Sequence, residues 1–368
     1  MASITEVARR AGVSITTVSR VLNPVSEYPV AAATRRRVLA AASALQYSPS
    51  ALARALVTRR SHMIGVLLGD IVDPYFAEIV RGIEDVARRA GYLVVICNTS
   101  RDPGTERRYV TALREYRADA IIFLGGDIFD PPTRRALERE LASMADLGAV
   151  ALAVAGDHAD LPAIDIDHAA GAEEMVRYLV GLGHRRIGFI SGPLTVSTSR
   201  YRRQGFLNGM AAAGLNADLT DEADFAYSGG QAAAASLLMH EPTAIFAAND
   251  QMALGVMAAC RAAGLSVPGD VSVAGFGNTS AAEHAVPSLT TVSMPRHQLG
   301  VEAMQAVVDA LALEKPRVFP RRLPFHLVIR ESSGPPVPIQ VSTKPARRSR
   351  NTIAGRVNVW PPTVPPAR

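Results

Sequence analysis

A guanidinium, hydroxyls and a branched apolar side chain stand together in Ser14-Ile15-Thr16-Thr17-Val18-Ser19-Arg20. Such groups can read base edges: arginine forks onto the O6 and N7 of guanine, threonine exchanges hydrogen bonds, and isoleucine packs on the methyl of thymine. That chemistry requires an element that enters a groove, and the flanking residues supply one. Ser3-Ile4-Thr5-Glu6 has the capping-box spacing, in which the serine oxygen and the glutamate carboxylate satisfy free backbone N–H groups at a helix start. Val7, Ala8 and Ala11 then fall on one face, and Gly12 permits a sharp turn. Ser14 can cap a second helix, with Val18, Val21 and Leu22 inward and Ile15, Thr16, Ser19 and Arg20 largely outward. A third helix, from Thr34 to about Leu45, packs behind them through Val38, Ala41, Ala42 and Leu45. The spacing predicts a helix-turn-helix. Its second helix would present Ile15, Thr16 and Arg20 to base edges.

Charge along the chain separates a head from a body. Residues 1–60 carry nine Lys/Arg against Glu6 and Glu27, a net of +7, while residues 333–368 carry six and no acid. The whole chain is +5, so the segment between them is −8. A basic head on an acidic body suits a polyanion at the head and a different partner at the body. The 368 residues favour two or three domains, and a composition 48% hydrophobic and 20% charged suffices for a large core. No apolar run of about 18 residues occurs, and the N-terminus lacks the basic-then-apolar order of a secretory signal. The expected location is the cytoplasm, with no membrane partner. Cys97 and Cys260 are too few for a disulfide framework or a cysteine-rich metal site and read as small buried hydrophobes.

The string Glu6-Val7-Ala8-Arg9-Arg10-Ala11-Gly12-Val13-Ser14-Ile15-Thr16-Thr17-Val18-Ser19-Arg20-Val21-Leu22-Asn23 closely resembles the DNA-binding domain of the LacI/GalR family of bacterial repressors. Tyr47-Ser48-Pro49-Ser50-Ala51-Leu52-Ala53-Arg54-Ala55-Leu56 is similar to the family's hinge helix. The resemblance implies DNA contacts from Thr5, Ser14, Ile15, Thr16, Thr17, Ser19, Arg20, Asn23, Ser50 and Ala53, and from Leu56 as a wedge in the minor groove. A helix as short as Ser50–Leu56 is marginal alone in water and needs a partner to persist; an inserted leucine unstacks a base step and kinks the duplex. The loop Pro24–Val30 is longer than in the commonest members.

From Met63 onward apolar runs alternate with amphipathic helices, the signature of parallel α/β sheets. Ile64–Leu68, Leu93–Cys97 and Ala120–Leu124 read as strands, separated by helices near Phe76–Ala90, Thr105–Tyr116 and Pro132–Asp146. A second set comprises the helix His168–Leu182, strand Ile187–Ile190, helix Arg200–Ala213, strand Ala244–Ala247, helix Gln251–Ala263 and strand Val271–Ala274. Two such lobes present strand C-terminal ends to a shared crevice, where open α/β sheets bind ligands. Asp73-Pro74-Tyr75-Phe76, Gly183-His184-Arg185-Arg186-Ile187, Asn249-Asp250-Gln251-Met252, Val267-Pro268-Gly269-Asp270 and Ser288-Leu289-Thr290-Thr291-Val292 are similar to the family's sensor domain. The expected fold is therefore α/β, an N-terminal all-α helix-turn-helix head followed by a two-lobe, periplasmic-binding-protein-like α/β sensor domain. Its parts are residues 1–48 (head), 49–62 (hinge and linker), 63–332 (effector-binding and dimerisation) and 333–368. The last segment has eight prolines and no acid, a composition that predicts disorder.

The resemblance assigns the effector cleft to Tyr75, Phe76, Asp167, Thr198, Arg202, Phe225 and Asn249. Tyr75 and Phe76, taken as ending a strand, would stack on a flat ligand, and the Arg202 fork would grip a carboxylate or several hydroxyls. Asp250 reads as the cap of the following helix, and His184 as structural. One departure stands out: Gly277 occupies the place of the family's usual aspartate, leaving Asn278 as the neighbouring acceptor. That loss favours an acidic or phosphorylated metabolite, anchored by Arg202, over a neutral sugar. No Gly-x-x-x-x-Gly-Lys-Ser/Thr loop or His-Glu-x-x-His occurs, so no catalytic residue, metal or cofactor is expected. A solute-binding protein would share the two-lobe core, but with a secretory signal instead of a basic head. The leading expectation is a homodimeric, effector-controlled regulator, usually a repressor, on a near-palindromic operator.

Overall fold

The computed structural model describes residues 2–22, 29–48, 60–126, 128 and 130–337. Three helices build the head: α1 (Ile4–Ala11), α2 (Ile15–Leu22) and α3 (Ala32–Ala44). The capping box of α1 is formed, with Glu6 N donating to Ser3 Oγ at 3.3 Å and Ser3 N to Glu6 Oε2 at 2.7 Å. Gly12 ends α1 at φ +63°, the left-handed region that glycine enters without a Cβ clash. Thr17 N donates to Ser14 Oγ at 3.1 Å and opens α2. Val7, Ala8, Ala11, Val18, Val21, Val38, Ala41 and Ala42 form a small core of their own. The third helix begins at Ala32, two residues before the expected Thr34, and has no side-chain cap to mark its start.

The body holds two six-stranded sheets. Its first lobe contains β1 (Met63–Leu68), α4 (Pro74–Ala90), β2 (Leu93–Asn98), α5 (Pro103–Glu115), β3 (Ala120–Leu124), α6 (Pro131–Asp146), β4 (Val150–Val154) and β5 (Ala163–Asp165). In the second lobe α7 (His168–Gly181), β6 (Ile187–Ser191), α8 (Ser197–Ala212), β7 (Thr220–Glu222), α9 (Tyr227–Leu238), β8 (Ala244–Ala247), α10 (Asp250–Ala262), β9 (Ser272–Gly277), α11 (Ser280–His284) and β10 (Thr290–Ser293) follow. The chain then crosses back through α12 (Arg296–Leu311) and β11 (Arg321–Arg322) and returns in β12 (His326–Val328). Strand order is β11-β5-β4-β3-β1-β2 in one sheet and β12-β10-β9-β8-β6-β7 in the other. Among the described residues only β12 pairs antiparallel within these sheets, against β10. Central strands such as Ala120–Leu124 and Ile187–Ser191 are buried throughout, which is why they read as continuous apolar runs. The crossing helix α12 lies on α4 with Gly82 and Gly300 face to face, and neither position has room for a side chain against the other helix's backbone.

The structure changes four readings. Tyr75 and Phe76 do not end a strand; they sit in the first turn of α4, because Asp73 caps that helix and Pro74 fits its first position. Asn249, not Asp250, is the N-cap of α10. The body does not stop at 332: Ser333 Oγ lies 2.9 Å from the Tyr178 hydroxyl, and Gly334 O accepts from Ser272 Oγ at 3.0 Å. Residues 338–368 lie outside the described set. Finally, β4, β5, β7, β10, β11, β12, α9, α11 and α12 are additions to the expected elements. Cys97 and Cys260 are buried and unbridged, and burial pushes the Cys260 thiol up to about 11. Among the described residues no helix is long and apolar enough to cross a membrane.

Candidate functional site

Helix α2 leaves its outer face uncovered. Ser14, Ile15, Thr16, Ser19 and Arg20 are exposed, as is Thr5 on α1, while Thr17 is half-buried. Ile15 keeps 47% of its surface in water and is not part of the head's core. The Ser14 and Thr17 hydroxyls lie 2.9 Å apart, so part of their hydrogen bonding stays local. Asn23, Ser50, Ala53 and Leu56 lie outside the described residues.

In the body, both lobes line one cleft. Their backbones meet at its rim, where Ile128 and Val196 form an isolated antiparallel bridge and the Tyr201 hydroxyl donates to Asp157 Oδ2 at 2.7 Å. A Cβ on Gly126 would come within 2.6 Å of Ser197 Oγ, so this approach requires glycine. Arg202, fully buried, lies over the Phe276 ring at 4.1 Å. Its Nε donates to His168 Nδ1 at 3.3 Å and its Nη1 to Ala248 O at 2.6 Å. An accepting Nδ1 puts the His168 ring proton on Nε2, which is 3.1 Å from Asp165 Oδ1. Desolvation lowers the Arg202 pKa from the usual arginine value. The Tyr75 hydroxyl donates to Ala155 O at 3.4 Å, and burial raises its pKa to about 12. Tyr75 meets Phe76 edge-on at 5.1 Å, and Arg101 lies 5.3 Å from the Phe225 ring. Phe225 holds a left-handed φ of +70°.

Six of the seven expected cleft residues, Tyr75, Phe76, Thr198, Arg202, Phe225 and Asn249, line this cavity. Asn249 does so with its amide committed: Oδ1 accepts from Met252 N at 2.8 Å and Nδ2 donates to Phe225 O at 2.9 Å. Asp167 is not brought in. It caps α7 through Ala170 N at 2.9 Å and pairs with Arg322 at 2.8 Å. Asp250 is buried below the cleft, accepting from Thr279 N at 2.6 Å and Thr291 Oγ1 at 2.6 Å; burial raises its pKa. Gly277 is not a lining residue, and its carbonyl accepts from Arg296. A Cβ there would lie 3.3 Å from Asp250 Oδ2, so an aspartate would face a second carboxylate. Asn278 does not replace the missing acceptor, because Nδ2 donates to Ser293 Oγ at 3.1 Å and Oδ1 accepts from Arg330 Nη2 at 2.8 Å. His184 is buried away from the cleft, against Thr243 Oγ1 at 3.0 Å and Gly334 O at 2.9 Å; burial lowers its pKa.

Thr99, Arg101, Glu106 and His158 also line the cleft and were not expected from the sequence. Thr99 and Arg101 directly follow β2, so the rule that ligands bind at strand C-terminal ends could have found them.

A basic three-helix head and a two-lobe cleft in one chain invite comparison with known proteins. Residues 3–50 match the model for bacterial regulatory proteins of the lacI family, and residues 176–333 match a periplasmic binding protein-like domain. The HTH-type transcriptional regulator DegA of Bacillus subtilis is 35% identical over 339 residues, covering 90% of this chain and 98% of its own. The chain belongs to the lacI family. This lacI-family chain is also 36% identical over 338 residues to the HTH-type transcriptional repressor PurR of Photobacterium profundum, with 90% and 98% covered. Among solved structures it resembles the lac repressor dimer bound to operator and the anti-inducer ONPF, with a TM-score of 0.78 and 28% identity, over 90% of this chain and 99% of that one. It is a DNA-binding transcriptional regulator with an effector-binding body.

Proposed function

We propose that this lacI-family chain represses transcription by holding a near-palindromic operator as a homodimer, and that a small molecule in the inter-lobe cleft sets its DNA affinity. The observation that carries the reading is the union of an exposed Ile15-Thr16-Arg20 face on a basic head with a cleft built around the buried Arg202. The similarity to a lac repressor dimer on operator supports the two-fold arrangement. In this reading Thr5, Ser14, Thr17, Ser19 and Asn23 join the readers at the DNA, and Ser50, Ala53 and Leu56 act in the minor groove. Residues 1–48 are the reading head, 49–62 the hinge, and the sensor runs from 63 through at least Gly334. The chain works in the cytoplasm by binding, without catalysis.

Arg202 anchors the acceptor end of the effector, with the Thr198 hydroxyl beside it and the aromatic rings of Tyr75, Phe76 and Phe225 around its body. The test is selection of sites from random DNA by the full chain, with and without a metabolite panel. Enrichment of two inverted half-sites, shifted by at least one metabolite, is the expected result; a pool without a shared sequence would overturn the reading.

A further inference from the structure

At the first-lobe side of the cleft lies a polar pair that none of the assigned roles uses. Glu106 stands in the first turn of α5 and His158 in the loop after β4, and both line the same cavity as Tyr75, Thr198 and Arg202. His158 is only 3% exposed, its ring stacked on Phe123 with centroids 4.0 Å apart and planes at 21°. Its Nε2 lies 3.0 Å from Glu106 Oε1. Among the described residues no hydrogen bond reaches the other carboxylate oxygen, Oε2, and no arginine or lysine pairs with it.

Apart from the Oε1 contact to His158, Glu106 is not needed to cap α5 or to pair a neighbouring arginine. The cap of α5 is Asp102, through Thr105 N at 2.6 Å, and the nearby Arg101 is paired with Asp70 at 3.5 Å and Asp73 at 3.4 Å. A carboxylate lining a cavity that also contains Leu67, Phe123 and Leu124 loses hydration and gains only the His158 contact in return. The cleft thus sets a carboxyl group, Glu106, and a guanidinium, Arg202, in the lining of one cavity.

We propose that the cleft selects an amphoteric small molecule, which places an amine or other donor-rich group on Glu106 Oε2 and a carboxylate or comparable acceptor on Arg202. This rests on the cleft being the effector site. A neutral hydroxyl can donate to Glu106, but an ammonium adds a charge-assisted bond to a carboxylate that is largely buried. A ligand anionic at both ends would set an anion against Glu106 and is selected against.

D-glucose and D-glucosamine, both rings, and D-gluconate and 2-amino-2-deoxy-D-gluconate, both open chains, form two matched pairs that differ by the amine and span neutral, cationic, anionic and amphoteric charge. In calorimetric titration of the full chain, the amphoteric compound is expected to bind tightest, ahead of gluconate by about tenfold. Glu106→Gln keeps the shape and an acceptor for His158, and is expected to erase the advantage of the amine while changing gluconate affinity by less than about twofold. An amine advantage that is absent in the wild type, or that survives Glu106→Gln, overturns the proposal and leaves the effector reading in place. An equal loss for all four ligands in Glu106→Gln makes Glu106 a structural residue and also overturns the proposal. No binding by any of the four to the wild type overturns the proposal, while the effector reading stands or falls with the metabolite panel.

Discussion

Arg20 and Arg202 show how one residue type takes opposite parts according to burial. Arg20 is exposed on α2, where its fork can meet a guanine. Arg20→Ala is expected to cost ~1–3 kcal/mol on the selected operator and to relax preference at one base pair per half-site. Competition titrations against sites varied at that position check it; equal weakening on specific and random DNA would make Arg20 a phosphate contact. Arg202 is buried, and its Nε depends on His168 Nδ1 as acceptor. His168→Leu leaves that donor unmet and is expected to destabilise the free protein by ~1–3 kcal/mol, whereas His168→Asn offers an oxygen near the same place and costs less. Urea denaturation of the two variants distinguishes them, and equal losses would show that the ring's packing, not its acceptor, matters.

Helix ends carry the clearest pH dependence among the elements. Thr105 N and Thr105 Oγ1 donate to Asp102 Oδ2 at 2.6 and 2.5 Å, and these bonds hold its pKa below the ordinary 3.8. The folded value is depressed, so the stabilisation is fully present above the unfolded pKa and is lost as pH falls through the folded one. Thermal midpoints of wild type and Asp102→Asn should therefore differ at neutral pH, and the gap should begin to close only as pH falls below about 3.8; a constant gap would deny the charge a role. The elements themselves differ in how far sequence discloses them. Ala120–Leu124 and Ile187–Ser191 are legible because strands covered on both faces are apolar throughout. The strands β5, β7 and β11 have three, three and two residues, too few for any period to register. Asn249 and Asp250 are both cap-forming residues in adjacent positions, and only the backbone path decides between them. Glu106 and His158 lie 52 residues apart and meet because α5, which holds Glu106, crosses from β2 to β3, the neighbour of the β4 that His158 follows, an order that no local pattern encodes.

At the scale of the whole molecule, function is the joining of a positively charged head to a body that can hold a ligand. With a net +7 in residues 1–60, DNA affinity should fall steeply with salt. Removing Arg9, Arg10 or one of Arg35, Arg36 and Arg37, all exposed in the head, should flatten the slope by about one unit per lost phosphate contact; fluorescence titration over a salt series measures it, and a slope that does not respond would place the DNA elsewhere. One chain both reads a sequence and answers to a small molecule in this account of the molecule. That dual behaviour is tested most directly by the affinity of the full chain for its selected site relative to random DNA, measured at fixed salt with and without the metabolite that shifts the selection. A preference of about 10³ or more, changed by the metabolite in the wild type and unmoved by it in Arg202→Met, is the expected result. Equal affinity for selected and random DNA, or a preference that no metabolite alters, would contradict it.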